Sequence, residues 1–91
     1  MMAIEVRVPT ILRTYTGGEK AVTAQGGTLA QLIDDVDASN PGVKERLVDE
    51  SGIRRFINVY VNDEDVRFTG GLDTAVADGD TVVILPAVAG G

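Results

Sequence analysis

The chain has 91 residues, 44% of them hydrophobic, which suits one small folded core and is too little for two. Its formal charge of −6 repels phosphate backbones and anionic lipid surfaces, so neither nucleic acid nor membrane is expected as a partner, and a basic protein surface is the natural complement. With no Cys and no His there is no thiol nucleophile, disulfide, imidazole base or usual zinc shell, so no metal site is expected and chemistry should be done to this protein rather than by it.

No apolar run reaches the length of a membrane span, and no basic leader precedes the first strand, which predicts a cytoplasmic protein. Ile4-Glu5-Val6-Arg7-Val8 alternates apolar and charged residues, placing Ile4, Val6 and Val8 on one face of a half-buried strand that Pro9 ends or bends. Ile11 and Leu12 are expected to stay near the core until Thr16-Gly17-Gly18 turns the chain. Lys20 to Ala24 then reads as the return strand of a long-looped hairpin, with Val22 its clearest inward residue.

Thr28 stands where a helix N-cap belongs, and Leu29, Leu32, Ile33 and Val36 follow at the spacing of one apolar helix face. Asp34, Asp35 and Asp37 are expected to point outward. They read either as a solvated face or, because carboxylates near a helix C-terminus oppose its dipole, as a patch for a basic partner. Asn40-Pro41-Gly42 stops the helix, and Val43 to Val48 predicts a short helical turn with Val43 and Leu47 inward. A polar loop follows at Asp49-Glu50-Ser51-Gly52.

Phe56 to Val61 is the strongest strand signal, with Ile57, Val59 and Val61 on one face and Phe56, Asn58 and Tyr60 on the other. Asn62 to Asp65 reads as a turn rather than a cation loop, and Val66-Arg67-Phe68 as a short strand leaving it. Gly70 to Ala77 predicts a loop with one helical turn, and Asp78-Gly79-Asp80 another turn. Thr81 to Leu85 is almost continuously apolar, the pattern of a central strand covered on both faces. Pro86 cannot donate to a ladder, so pairing is expected to stop there. The internal glycine pairs form no GxGxxG or GxxxxGK[ST] arrangement, so no phosphate-cradling loop is indicated.

Domain organisation follows from that order: a body over residues 1–86 and a flexible tail over 87–91. The tail, Ala87-Val88-Ala89-Gly90-Gly91, is small and uncharged. It reads either as a fraying end or as a handle whose two glycines pass through a narrow channel and let a partner close around the carboxylate of Gly91.

The succession hairpin, helix, strand, short strand, loop, strand gives an α+β, ββαββ chain whose mixed sheet curls around one main helix, the β-grasp arrangement of ubiquitin. Asp78-Gly79-Asp80 with Val82, Ile84-Leu85-Pro86, Val88 and Ala89-Gly90-Gly91 resembles the C-terminal signature of the ubiquitin-like bacterial sulfur carriers, the ThiS/MoaD superfamily. Val8-Pro9-Thr10-Ile11-Leu12-Arg13, Thr16-Gly17-Gly18, Glu45-Arg46-Leu47 and the run from Asn58 to Phe68 are similar to its actinobacterial branch, which serves cysteine synthesis. The likeness covers nearly the whole chain.

That resemblance implies a protein co-substrate rather than an enzyme. An ATP- and magnesium-dependent activating enzyme adenylates the Gly91 carboxylate, sulfide or a persulfide converts it to a thiocarboxylate, and Ala87, Val88, Ala89 and Gly90 thread the partner's active site. It further implies a sulfur-accepting synthase of the cysteine-synthase type carrying pyridoxal phosphate, and a metalloprotease that releases the product, with no cofactor held by this chain. By analogy with ubiquitin, Val83, Leu85 and Tyr60, with Phe56, Phe68 and Pro86, form the partner-docking surface, although some of them could instead fill a core corner or lie under the segment from Val43 to Arg55. Three alternatives share the same tail: the small subunit of molybdopterin synthase, a donor to a thiazole-synthase-like enzyme making a sulfur-containing metabolite, and a ubiquitin-like protein modifier.

Overall fold

The structure, a computed structural model, describes residues 3–86. Strand β1 (Ile4–Arg7) and strand β2 (Ala21–Ala24) form the first hairpin, joined by a 3-10 helix over Thr10–Thr16. Helix α1 (Leu29–Ser39) and the five-residue helix α2 (Val43–Leu47) follow. A two-stranded hairpin of β3 (Val48–Asp49) and β4 (Gly52–Ile53) leads into β5 (Ile57–Val61), β6 (Glu64–Asp65) and finally β7 (Thr81–Pro86). The main sheet has five strands in the order β2-β1-β7-β5-β6. Its neighbouring strands β1 and β7 run parallel and every other pair is antiparallel. One mixed sheet wrapped on one principal helix is the β-grasp arrangement expected from the order of elements.

Helix α1 forms because its start is satisfied locally and its apolar stripe has a sheet to cover. Thr28 Oγ1 accepts from the Gln31 N–H at 3.3 Å, and Gln31 Oε1 reaches back to accept from the Gly27 N–H at 2.8 Å, so two otherwise orphaned donors are satisfied reciprocally. Leu29, Leu32, Ile33 and Val36 are all buried, against Val6, Val59, Val82 and Ile84 of the sheet. Each such side chain contributes about 1.5 to 3 kcal/mol when fully buried. Gly26 lets the chain enter this helix closely, since a Cβ there would lie 2.7 Å from the Leu32 nitrogen.

Several expectations are corrected. Leu12 is buried, but Ile11 is 63% exposed, because the connection coils as a 3-10 helix and turns only one of the pair inward. In β2 the buried residue is Ala24, with Val22 half-buried. Residues 49–52 form a small hairpin rather than an open loop. Asn62 and Asp63, at φ 49° and 73°, make a tight two-residue turn, so Glu64 and Asp65 are the paired residues. Pairing then ends: Asp65 Oδ1 accepts from the Arg67 N–H at 2.9 Å and caps a 3-10 turn over Val66–Phe68 where a strand was expected. Strand β7 is central but covered on one face only, with Val82 and Ile84 buried and Leu85 45% exposed. Its pairing reaches Pro86, whose Cα partner is Ile57, because a proline at the end of a ladder forfeits only a donor.

Candidate functional site

The end of β7 carries the residues from which the tail grows, and three neighbouring segments fix its position. Cross-strand register builds a row over the solvent side of the sheet: Ala21 opposite Arg7, Arg7 opposite Val83, Val83 opposite Tyr60, and Tyr60 opposite Asp65. Leu85 lies one step further along, opposite Asn58. Strand residues alternate between faces, so this whole row points away from α1. Tyr60, Val83 and Leu85 therefore come together on the open face, half-buried or exposed.

The other predicted surface residues are distributed differently. Pro86 falls in register with buried Ile57, so alternation carries it to the helix side, away from Leu85. Phe56 is 63% exposed in the turn before β5, and Phe68 is 87% exposed in the 3-10 turn after buried Val66; both stand outside the strands. Arg67, between Val66 and Phe68, donates from one guanidinium nitrogen to Asn58 Oδ1 at 2.7 Å and from the other to the Ile57 carbonyl at 3.2 Å. That clamp fixes the 3-10 turn at the edge of the open face, a role that no local sequence pattern announces. Ala87, Val88, Ala89, Gly90 and Gly91 lie outside the described residues.

The acidic Asp78-Gly79-Asp80 segment works as a clasp at the base of β7. Asp78 Oδ1 accepts from the Ala3 N–H at 2.6 Å, and the Gly79 N–H donates to the Ala3 carbonyl at 3.0 Å. Asp80 Oδ2 accepts from the Ala77 N–H at 2.8 Å, and the Asp80 carbonyl accepts from the Glu5 N–H at 3.1 Å. Both carboxylates are thereby tied to backbone donors beside β1, as expected of a turn. Gly79 takes φ 90°, which favours glycine there.

The acidic patch on α1 also has internal partners. Asp34 pairs with Lys44 at 2.6 Å, and Asp35 accepts from the Gln25 N–H at 2.9 Å. Asp37 is half-buried rather than outward and accepts from the Gly42 and Lys44 N–H groups, both at 3.1 Å, at the start of α2. Asp34 and Asp37 hold the corner between α1 and α2, and Asp35 ties α1 to the end of β2, which offsets their cost against the dipole of α1. Lys44 is held protonated above its usual 10.5, chiefly by the hydrogen bond to Asp34 and then by that residue's charge.

Among the described residues no group of three or more His, Cys, Asp or Glu side chains converges as a metal site, and no helix is long and apolar enough to cross a membrane. A groove of about 440 Å³ lies on the open face beside Val83 and Leu85, and Arg7, Arg13 and Lys20 line it with Glu5. The side of the sheet next to the tail is thus locally basic, whereas the net charge of the chain had pointed to a basic partner.

Against this geometry, the chain's likeness to known proteins is extensive. Sulfur carrier protein CysO of Mycobacterium tuberculosis is 59% identical over 99% of this chain and 100% of its own length. CysO in the crystal structure of the Amycolatopsis orientalis BexX/CysO complex superposes with a TM-score of 0.93 at 64% identity, covering 98% of this chain and 100% of that one. The crystal structure of Mycobacterium tuberculosis CysO gives a TM-score of 0.90 at 58% identity, over 93% and 99% of the two chains. Relatives named as an archaeal modifier and as a molybdopterin synthase subunit are more distant, at 29% and 30% identity. The sequence model of the ThiS family matches residues 6–91, which takes in nearly all of the body and the Gly-Gly tail, and the chain is a member of the ThiS family.

Proposed function

We propose that the protein is a sulfur carrier for cysteine synthesis, a co-substrate of other enzymes rather than a catalyst. The observation that carries this reading is the 59% identity, over essentially the full length of both chains, to the mycobacterial sulfur carrier. A carboxylate is a poor acyl electrophile, so an activating enzyme first joins the Gly91 carboxylate to the AMP moiety of ATP and releases pyrophosphate. Hydrosulfide then displaces AMP and leaves a thiocarboxylate directly. A persulfide sulfur instead displaces AMP to leave an acyl disulfide, which a second thiol on the partner cleaves to the thiocarboxylate while forming a disulfide with the donor thiol. The thiocarboxylate is a softer nucleophile than the carboxylate it replaced. Gly90 and Gly91 leave that carbonyl open to attack, and Ala87, Val88 and Ala89 are small enough to follow it into a channel. ATP, magnesium, pyridoxal phosphate and any zinc of a releasing protease belong to the partners.

A second acceptor class is supported by one observation. The CysO chain at 64% identity was crystallised in a complex with BexX, so a carrier of this kind assembles with a second protein. We extend that to this chain as donor to a thiazole-synthase-like enzyme.

The test is the intact mass of the protein after incubation with ATP, magnesium, sulfide and an activating enzyme from the same cell, beside a chain lacking Gly90 and Gly91. The expected result is a gain equal to sulfur replacing oxygen, on the full chain alone. Adenylation followed by linkage to lysines without sulfur would replace this reading with that of a protein modifier.

A further inference from the structure

The basic groove beside the root of the tail is not explained by folding. Arg7 pairs with Glu5 at 2.8 Å, two positions away on the same face of β1, and both remain largely open to solvent. Arg13 donates from Nε to the Val8 carbonyl at 3.2 Å, which holds its guanidinium against the sheet. Lys20, just before β2, is exposed; its carbonyl accepts from the Val8 N–H at 2.8 Å, but its ammonium makes no hydrogen bond or ion pair among the described residues. Three cations against one carboxylate thus gather here in a chain whose formal charge is −6.

The groove is also continuous with the apolar row. Val83 and Leu85 form part of its wall and are flanked by Tyr60 and Asn58 on β5. An enzyme that draws Gly91 into its active site comes within a short span of it: five extended residues beyond Pro86 reach about 17 Å. Leu85 and the cations next to it are therefore within reach of the surface that rims that enzyme's channel.

We propose that this groove receives an acidic segment, Asp or Glu side chains set among apolar ones, from the activating enzyme at the mouth of the channel that takes the tail. The inference rests on the carrier reading and adds the chemistry of the partner's docking surface. Apolar contact at Val83 and Leu85 supplies affinity, and the charge of Arg7, Arg13 and Lys20 supplies orientation and encounter rate. The overall negative charge of the carrier meanwhile disfavours engagement through its other faces.

The experiment measures steady-state adenylation of the carrier by the activating enzyme of the same cell, with thiocarboxylate formation followed by mass. It compares wild type, Lys20→Glu, the double variant Arg13→Glu/Lys20→Glu, and Arg55→Glu, which reverses an exposed charge outside the groove. Thermal melts establish that each variant is folded, and Lys20→Glu removes no intrachain bond. The expected result is a KM for the carrier raised roughly tenfold in the double variant and several-fold in Lys20→Glu, with kcat unchanged and Arg55→Glu close to wild type. Raising salt from about 50 to about 300 mM should raise the wild-type KM and leave the double variant nearly flat. If KM stays within about twofold for both groove variants, if Arg55→Glu has an equal effect, or if kcat falls without a change in KM, the groove is not the docking site while the carrier reading stands. If wild type takes up neither AMP nor sulfur, the carrier reading fails and this inference falls with it.

Discussion

Asn62 Nδ2 donates to Asp80 Oδ1 at 3.0 Å, while Asn62 Oδ1 accepts from the Thr81 N–H at 3.1 Å. One side chain in the β5–β6 turn thus holds the first residue of β7 and the carboxylate just before it. Asn62 can do so because it adopts φ 49°, a left-handed conformation that Asn tolerates better than most residues. The clasp sets where β7 starts, and with it the register that brings Val83 and Leu85 to the open face.

Removing either partner should therefore weaken the fold. Asn62→Ala and Asp80→Ala are each expected to cost about 1 to 2 kcal/mol, and the double variant less than the sum of the two. Asn62→Gly loses the same bonds but relieves the backbone, so it should cost less than Asn62→Ala. Urea unfolding of the four variants beside wild type measures this; strict additivity would mean that the pair is not coupled.

Gly42 takes φ 105°, and a Cβ on it would lie 2.8 Å from the ring of Tyr15. That ring is in turn held by Arg46, whose Nε donates to the Tyr15 hydroxyl at 2.8 Å and whose guanidinium carbon lies 5.6 Å from the ring centroid. Gly42→Ala should destabilise by about 1 to 3 kcal/mol through backbone strain and the displaced ring. Adding Tyr15→Ala would relieve only the steric part, leaving the double variant below Tyr15→Ala alone in thermal melts.

Leu32 is 1% exposed at the centre of the helix–sheet contact. Leu32→Ala should cost about 2 to 5 kcal/mol, a large share of the stability of so small a domain, and appear as a much lower urea midpoint. Gly91→Ala is the counterpart in function: its melting temperature should match wild type while thiocarboxylate formation drops sharply. Equal sulfur uptake by Gly91→Ala would show that the last residue need not be glycine.

The Lys44–Asp34 pair has a defined pH window but little weight. A cation whose folded pKa is raised contributes stability in full below its ordinary value of 10.5 and loses it as pH climbs through the raised value. Both side chains are substantially exposed, so screening keeps the contribution small. Melting temperatures of wild type and Lys44→Met should lie within a few degrees of each other near neutrality, and any gap should close at alkaline pH.

The sequence by itself determined the elements whose signal is periodic. Ile4, Val6 and Val8, the Leu29-Leu32-Ile33-Val36 face, and Ile57, Val59 and Val61 are buried as their spacing predicts, because alternation and helical repeat are properties of the local backbone. The Gly-Gly ending is plain in the residue order, while the chemistry proposed for it comes from the resemblance to the sulfur carriers. Tertiary structure decided what depends on pairing. Val66–Phe68 has the composition of a strand, yet the Asp65 cap and the burial of Val66 bend it into a 3-10 turn. Asp34, Asp35 and Asp37 look like a surface patch until the chain folds back to give each a donor. Arg7, Arg13 and Lys20, scattered through the first twenty residues of an acidic chain, become one basic groove beside Leu85 only when β1, β2 and β7 align. Register between distant strands is set by the packing of the whole core, and no local pattern carries it.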